Sequence, residues 1–291
     1  MAAVLIDLHV HSSASDGTDP PAEVVRRAAA AGCDVIALTD HDTVAGIAPA
    51  AAALPPGLTL VPGMELSCQL GGRRSVHLLA YLFNPAYAAL AAETELIRDD
   101  RVHRARAMVA RLGALGAPVS WERVEEIAAG AVVGRPHIAR ALAEAGVVAT
   151  PADAFTAEWI GDGGRAHVGR YAPDPARAIA LVRAAGGVPV LAHPRSPGYE
   201  ISDEVVVGLV SAGLAGLEVF HPDHDQSERS RLIHLANSLN LVITGGSDDH
   251  GAFGDGRLGS ETTPPDQYER LLALATGARP VNGEPTATDP R

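Results

Sequence analysis

Imidazole and carboxylate side chains recur in this chain wherever an apolar run ends, and they begin at once. His9 and His11 lie two residues apart in Val4-Leu5-Ile6-Asp7-Leu8-His9-Val10-His11. At a strand's period of two they share one face with Asp7, while Ile6, Leu8 and Val10 share the other. Two rings side by side can converge on one cation, which an ordinary core does not require. The pattern then returns. Asp16 follows in Ser15-Asp16-Gly17, His41 follows the run 35–39, Glu65 follows 58–61, and His77 sits in Val76-His77-Leu78-Leu79. His193 ends 188–191, and Asp248 and His250 follow 241–244. Imidazole with carboxylate suits manganese, zinc or iron. Nine candidate ligands exceed what one ion can use, so two or three divalent ions are expected, with Mn2+, Zn2+ and Fe2+ all open on ligand type.

Residues spread from 9 to 250 meet only if the fold brings strand ends together. Through residue 83 the rhythm is mostly strand then helix, with continuously apolar strands, as in a parallel sheet covered on both faces. From about 86 to 164 no strand interrupts helical patterns at 88–115, 121–129 and 136–145. Strand and helix alternation resumes near Ala166-His167-Val168 and continues to a last helix near 265–276. The expected architecture is α/β: a barrel from 1–85 and 165–279, a helical insertion at 86–164, and a frayed tail at 280–291. About seven strands are expected, and in such a barrel every candidate ligand would lie at or near a strand's C-terminal end.

Composition narrows the partners. Hydrophobic residues make up 47%, enough for a sizeable core, and the formal charge is −12, which argues against a long duplex nucleic acid. Cys33 and Cys68 form neither a disulfide framework nor a zinc ribbon and read as small core residues in a reducing compartment. No apolar run reaches about 18 residues and no basic leader precedes one, so a cytoplasmic protein without membrane contact is expected.

Five motifs, taken together, resemble the polymerase and histidinol phosphatase (PHP) family. They are Asp7-Leu8-His9-Val10-His11-Ser12 with Ser15-Asp16-Gly17, Thr39-Asp40-His41-Asp42, Pro62-Gly63-Met64-Glu65, Ala192-His193-Pro194 and Gly246-Ser247-Asp248-Asp249-His250-Gly251. The resemblance implies a distorted seven-stranded (β/α) TIM-like barrel with a trinuclear centre. It places one ion on His9, His11, Glu65 and Asp248, a second on Glu65, His77 and His193, and a third on Asp16, His41 and His250. Asp7 and Asp40 are expected to orient ligating rings rather than to ligate.

Gly134-Arg135-Pro136-His137 in the insertion is similar to the PHP branch that acts on nucleotides and short RNA. Independently of that likeness, Pro136 fits a helix's first turn. Free N–H groups, the helix dipole and the Arg135 guanidinium would then point at one place, with His137 beside them, which suits a substrate phosphate. His221 ends another strand and is a candidate phosphate contact or proton donor. His103, His167, His224 and His234 are expected to play surface or packing roles, and Arg73 and Arg74 to be solvated turn residues. The expected activity is hydrolysis of a phosphate monoester of a small nucleotide, such as a nucleoside 3′,5′-bisphosphate or AMP, by hydroxide that the cations make available. The alternatives are a 5′-to-3′ exonuclease on short 5′-phosphorylated RNA, a histidinol phosphatase, or a non-catalytic metal-stabilised module.

Overall fold

The computed structural model describes residues 4–71, 74–131, 133–197, 200–253 and 257–284. They form two compact units, 1–92 with 173–291, and 93–172. In chain order the elements are β1 (Ile6–Val10), α1 (Pro21–Ala30), β2 (Val35–Leu38), α2 (Ile47–Ala52), β3 (Thr59–Leu70), β4 (Arg74–Tyr81) and α3 (Ala88–Ala114). They continue with α4 (Trp121–Ala128), α5 (Arg135–Glu144), α6 (Pro175–Ala184), β5 (Val188–Leu191) and α7 (Asp203–Ala212). The last are β6 (Gly216–Phe220), α8 (Gln226–Ser238), β7 (Val242–Gly245), α9 (Pro265–Leu274) and β8 (Val281–Asn282). Arg73 lies outside the described residues.

In the larger unit, strands β1 to β7 are neighbours in sequence order. Every residue of β1, β2, β5 and β7 is buried, which is why β2 and β5 read as unbroken apolar runs. The sheet nearly closes into a barrel. Past β7, the Asp248 N–H donates to the His9 carbonyl at 2.8 Å, and the His11 N–H donates to that of Asp249 at 2.9 Å. Side chains cap the starts of α6 and α8: Asp174 accepts from the Ala176 N–H and Asp225 from that of Glu228.

Four expectations need correction. The rhythm through residue 83 is not uniformly parallel, because β3 runs on for 12 residues and pairs antiparallel with β4 around Gly71, at φ +59°. A glutamate in an apolar run reads as a strand's end, yet Glu65 continues β3 opposite Leu79. Glu65 and His77 therefore lie inside strands, as diagonal neighbours across the β3–β4 ladder, rather than past parallel strand ends. No strand forms at 166–168. The start of the tail is ordered: β8 pairs Val281 with Leu60 and Asn282 with Thr59, covering an edge that β4, paired from Gly63 onward, leaves open.

The β1 alternation is also interrupted. Asp7 pairs with Ile36 and Val10 with Leu38, so Leu8 and His9 together oppose Ala37 alone. Such a bulge re-aims side chains, and it separates the direction of Asp7 from that of His9. The smaller unit packs α3, α4 and α5 around Met108, Leu112, Val124, Ile138, Leu142 and Ile160. Ser120 caps α4 by accepting from the Arg123 N–H.

Candidate metal centre

All nine residues expected as ligands meet in the larger unit. Glu65 is at the middle. Its Oε2 lies 3.4 Å from His9 Nε2, 3.2 Å from His11 Nε2 and 3.1 Å from His41 Nδ1. Its Oε1 lies 2.8 Å from His77 Nδ1 and 3.1 Å from His193 Nε2. Asp248 Oδ1 is 3.3 Å from His9 Nε2 and 3.2 Å from His11 Nε2. Asp16 faces His250 Nε2 at 3.4 Å and His41 Nε2 at 3.7 Å.

Local pairing explains these positions. Beyond β2 the chain stays bound to β3, with the Glu65 N–H donating to the Thr39 carbonyl and the Asp42 N–H to that of Glu65. That holds His41 beside Glu65. Asp42 accepts from the N–H and hydroxyl of Ser67, fixing β3 two residues further on. His193 and Asp248 sit at φ +26° and +52°. Non-glycine residues pay strain there, and such strain gathers at functional sites.

The donor set fits divalent cations. Asp16 Oδ1, Asp248 Oδ1, His11 Nδ1 and His41 Nδ1 are buried without a hydrogen-bond partner. His9 Nε2 faces His11 Nε2 at 3.1 Å, an arrangement that needs a proton or a cation between the lone pairs. Ligands on one cation with bonds of about 2.1 Å lie roughly 3–3.5 Å apart, the spacing found here. Ligand atoms converge in three groups: His11, Asp16, His41 and His250; His9, His11 and Asp248; and His41, Glu65 and His77. Within this grouping His11 and His41 each belong to two clusters.

The electrostatics agree. Burial would hold His11 down, but Asp248 and Glu65 override it and push the ring up to about 10. Burial outweighs the nearby acids at His41 and lowers it to about 3, which keeps the ring neutral, with one nitrogen bare as a ligand's must be. Burial would raise the Glu65 carboxyl, yet the rings of His41, His77 and His9 hold it well below its usual range. Uncompensated, so many buried charges cost more than they gain.

Asp7 and Asp40 do not do what was expected of them. Asp7 accepts from the backbone N–H groups of Ser247, Gly259 and His9, and burial pushes its carboxyl up to about 6. Asp40 accepts from the Ser12 N–H and the hydroxyls of Ser12 and Ser15. Both brace the chain through backbone N–H and hydroxyl donors, and among the described residues no ring nitrogen bonds to either. The carboxylate that does hold a ring is Glu218, buried in β6. Its Oε1 accepts from His9 Nδ1–H at 2.8 Å and its Oε2 from the His193 N–H at 2.7 Å.

A cavity of about 210 Å3 opens over the cluster, lined by His41, His77, His193, Ser196, His221 and Asp248 among others. His221 Nδ1 accepts from the Asp223 N–H at 3.1 Å, so the neutral ring carries its proton on Nε2, 3.4 Å from Asp248 Oδ2. His224 is a buried strut between the Val219 carbonyl and the Arg195 N–H.

Arg135 and His137 belong to the smaller unit and begin α5. Arg135 donates to Asp162 at 2.6 Å and lies over the Phe155 ring. The His137 Nδ1 accepts from the Gly134 N–H at 3.0 Å, closing the helix cap. Arg74 donates to the Glu200 carbonyl.

A barrel holding this cluster of histidines and acids defines a class. The chain belongs to the PHP family: residues 7–106 match the PHP domain, and its relatives extend the likeness along nearly the whole chain. It is 34% identical to the 3′,5′-nucleoside bisphosphate phosphatase of Chromobacterium violaceum, over 87% of this chain and 89% of that protein. It is 34% identical to a 5′-3′ exoribonuclease of Haemophilus influenzae, over 84% and 89%. A solved structure from Bifidobacterium adolescentis superposes with a TM-score of 0.85 at 33% identity, covering 94% of this chain and 98% of that one. Among the described residues no helix is long and apolar enough to cross a membrane.

Proposed function

We propose that this phosphoester hydrolase removes a terminal phosphate from a small nucleotide, such as a nucleoside 3′,5′-bisphosphate or AMP. The observation that carries the reading is Glu65, one buried carboxylate against five imidazoles, in a donor set suited to two or three divalent cations. Mn2+ is the proposed native ion. His9, His11, Glu65 and Asp248 would hold one ion, Glu65, His77 and His193 another, and Asp16, His41 and His250 a third. Such ions, when bound, supply positive charge to a transferring phosphate and acidify water enough for attack near pH 7.

The protein's own groups do the rest. His221 lines the cavity over the cluster, and its Nε2–H is placed to give a hydrogen bond to the departing oxygen, which takes its proton from solvent water. Arg135 and His137 are proposed substrate-phosphate contacts, supported by the helix start and the guanidinium they share. An anion there would compete with Asp162 for Arg135.

The test is a substrate panel on one purified sample whose metal content is also measured. It should contain adenosine 3′,5′-bisphosphate, AMP, a short 5′-phosphorylated RNA and histidinol phosphate. Turnover of the nucleotides, abolished by a chelator and restored by Mn2+, is expected. Release of mononucleotides from the RNA at a higher kcat/KM would transfer the assignment to the exonuclease reading that the Haemophilus relative favours. No turnover of any member with metal bound would refute both. His221→Ala should lower kcat for the nucleotide about 100-fold and hardly affect p-nitrophenyl phosphate, whose leaving group needs no proton. Equal losses on the two would rule His221 out as the donor.

A further inference from the structure

We propose that Glu218 is a positioning residue that decides which nitrogen of His9 faces the cation centre, and that it sets His193 with the same carboxylate. This rests on the cation-centre reading above. Glu218 is a charged group in the middle of the apolar strand β6 and has no exposed surface. Carboxylates are almost never buried so fully without partners that use both oxygens. Here both are used, and both partners lead to the centre. Oε1 takes the Nδ1 proton of His9, on β1. Oε2 takes the backbone N–H of His193, just past β5, where the chain adopts φ +26°.

The consequence is a tautomer. A neutral imidazole carries one proton. With Nδ1–H committed to Glu218, His9 presents a bare Nε2, and that is the atom lying among His11 Nε2, Asp248 Oδ1 and Glu65 Oε2. The second contact works on geometry instead: it holds the strained backbone from which the His193 ring reaches Glu65 Oε1. One side chain from β6 thus ties the strands on either side of the centre to a single ligand arrangement.

Glu218→Gln separates this role from simple packing, because it keeps the volume and changes only donors and acceptors. A glutamine has one acceptor oxygen. The His193 N–H cannot change its role, so the oxygen belongs there and the NH2 turns toward His9 Nδ1. That nitrogen must then accept, which moves the ring proton to Nε2 and into the ligand cluster. In the opposite amide orientation His9 keeps its tautomer and the His193 N–H loses its acceptor.

The experiment measures Mn2+ binding by calorimetry on metal-free wild type and Glu218→Gln, with long-range 1H–15N spectra of the histidine rings, His9 being assigned from the signal lost in His9→Gln. Expected are Nδ1–H on His9 in the wild type, a move to Nε2–H or a disturbed His193 in the variant, and a 10- to 100-fold weaker Mn2+ affinity with metal-free melting temperature little changed. A neutral wild-type His9 whose single proton sits on Nε2 overturns the proposal, as does a variant that binds Mn2+ within about twofold of wild type. A wild type that takes up no divalent cation overturns the centre itself, and the assignment of Glu218 with it. Should Glu218→Gln not fold, the wild-type tautomer and Glu218→Asp, which keeps the charge but shortens the reach, still decide the matter.

Discussion

Glu65→Gln is expected to reduce kcat/KM for the nucleotide substrate by at least about a thousandfold, and to lower the metal bound per chain in the same preparation. The reasoning starts from the number of partners. Both Glu65 oxygens face imidazole nitrogens, three at Oε2 and two at Oε1, all within 3.4 Å. A glutamine presents one oxygen and one NH2, so at least one group of rings meets a donor where an acceptor stood. The lost charge matters as much, since this carboxylate is held ionised by those rings and would offset the charge of any cations among them. Removing one preorganised electrostatic group from an active site costs on the order of 10²–10³ in kcat. Glu65 serves more than one proposed ion, so its loss should exceed that range. Metal analysis of the purified variant and steady-state kinetics with added Mn2+ check both parts. A variant with full metal content and a loss under tenfold would show that Glu65 does not join the proposed sites.

The cluster was legible in the sequence because its members are residues an apolar strand end does not otherwise tolerate. His9, His11, His41, His193 and Asp248 announce themselves that way. Glu65 and His77 were both singled out as candidate ligands, but Glu65 was placed past the end of a strand that in fact continues through it. Nothing local distinguishes a glutamate that ends a strand from one that continues it when its neutralising partners lie on other strands. The antiparallel β3–β4 pair was missed for that reason. Asp7 and Asp40 were assigned to ring nitrogens because an acid near a histidine is a reasonable orienter. Their actual partners, the backbone N–H groups of Ser247 and Gly259 and the hydroxyls of Ser12 and Ser15, depend on loop conformations that spacing does not encode. Glu218 carried a usable signal. A lone acid inside Gly216-Leu217-Glu218-Val219-Phe220 must have a partner if the run is a buried strand. Naming the partner was impossible, since His9 is 209 residues away.

The second large effect is expected at a residue with no chemistry of its own. Gly246 lies where the chain beyond β7 closes against β1, and its own N–H donates to the Phe220 carbonyl. A Cβ built there would stand 2.3 Å from His9 Cβ and 2.4 Å from His9 N. Backbone cannot yield as the tip of a flexible side chain would, so Gly246→Ala must push the segment 246–248 away from β1. Overpacking of this kind costs about 1–3 kcal/mol of stability. The functional loss should be larger, because Asp248 is two residues on and its Oδ1 is placed by the same closure, with its own N–H bonded to the His9 carbonyl. We expect at least about a hundredfold lower kcat/KM at a temperature where the variant is fully folded, by the reasoning that a misplacement of about 1 Å costs on that order. Gly208→Ala is the matched comparison. Gly208 lies inside α7 with nothing within 4 Å of its added Cβ, so alanine should stabilise it by about 0.5–1 kcal/mol and leave kinetics unchanged. Melting temperatures separate the stability effects, and kinetics at low temperature isolate the rest. If Gly246→Ala stays within a few-fold of wild-type activity once folded, the position of Asp248 is not fixed by how closely these two strand ends meet, and the closure has slack that the distances do not suggest.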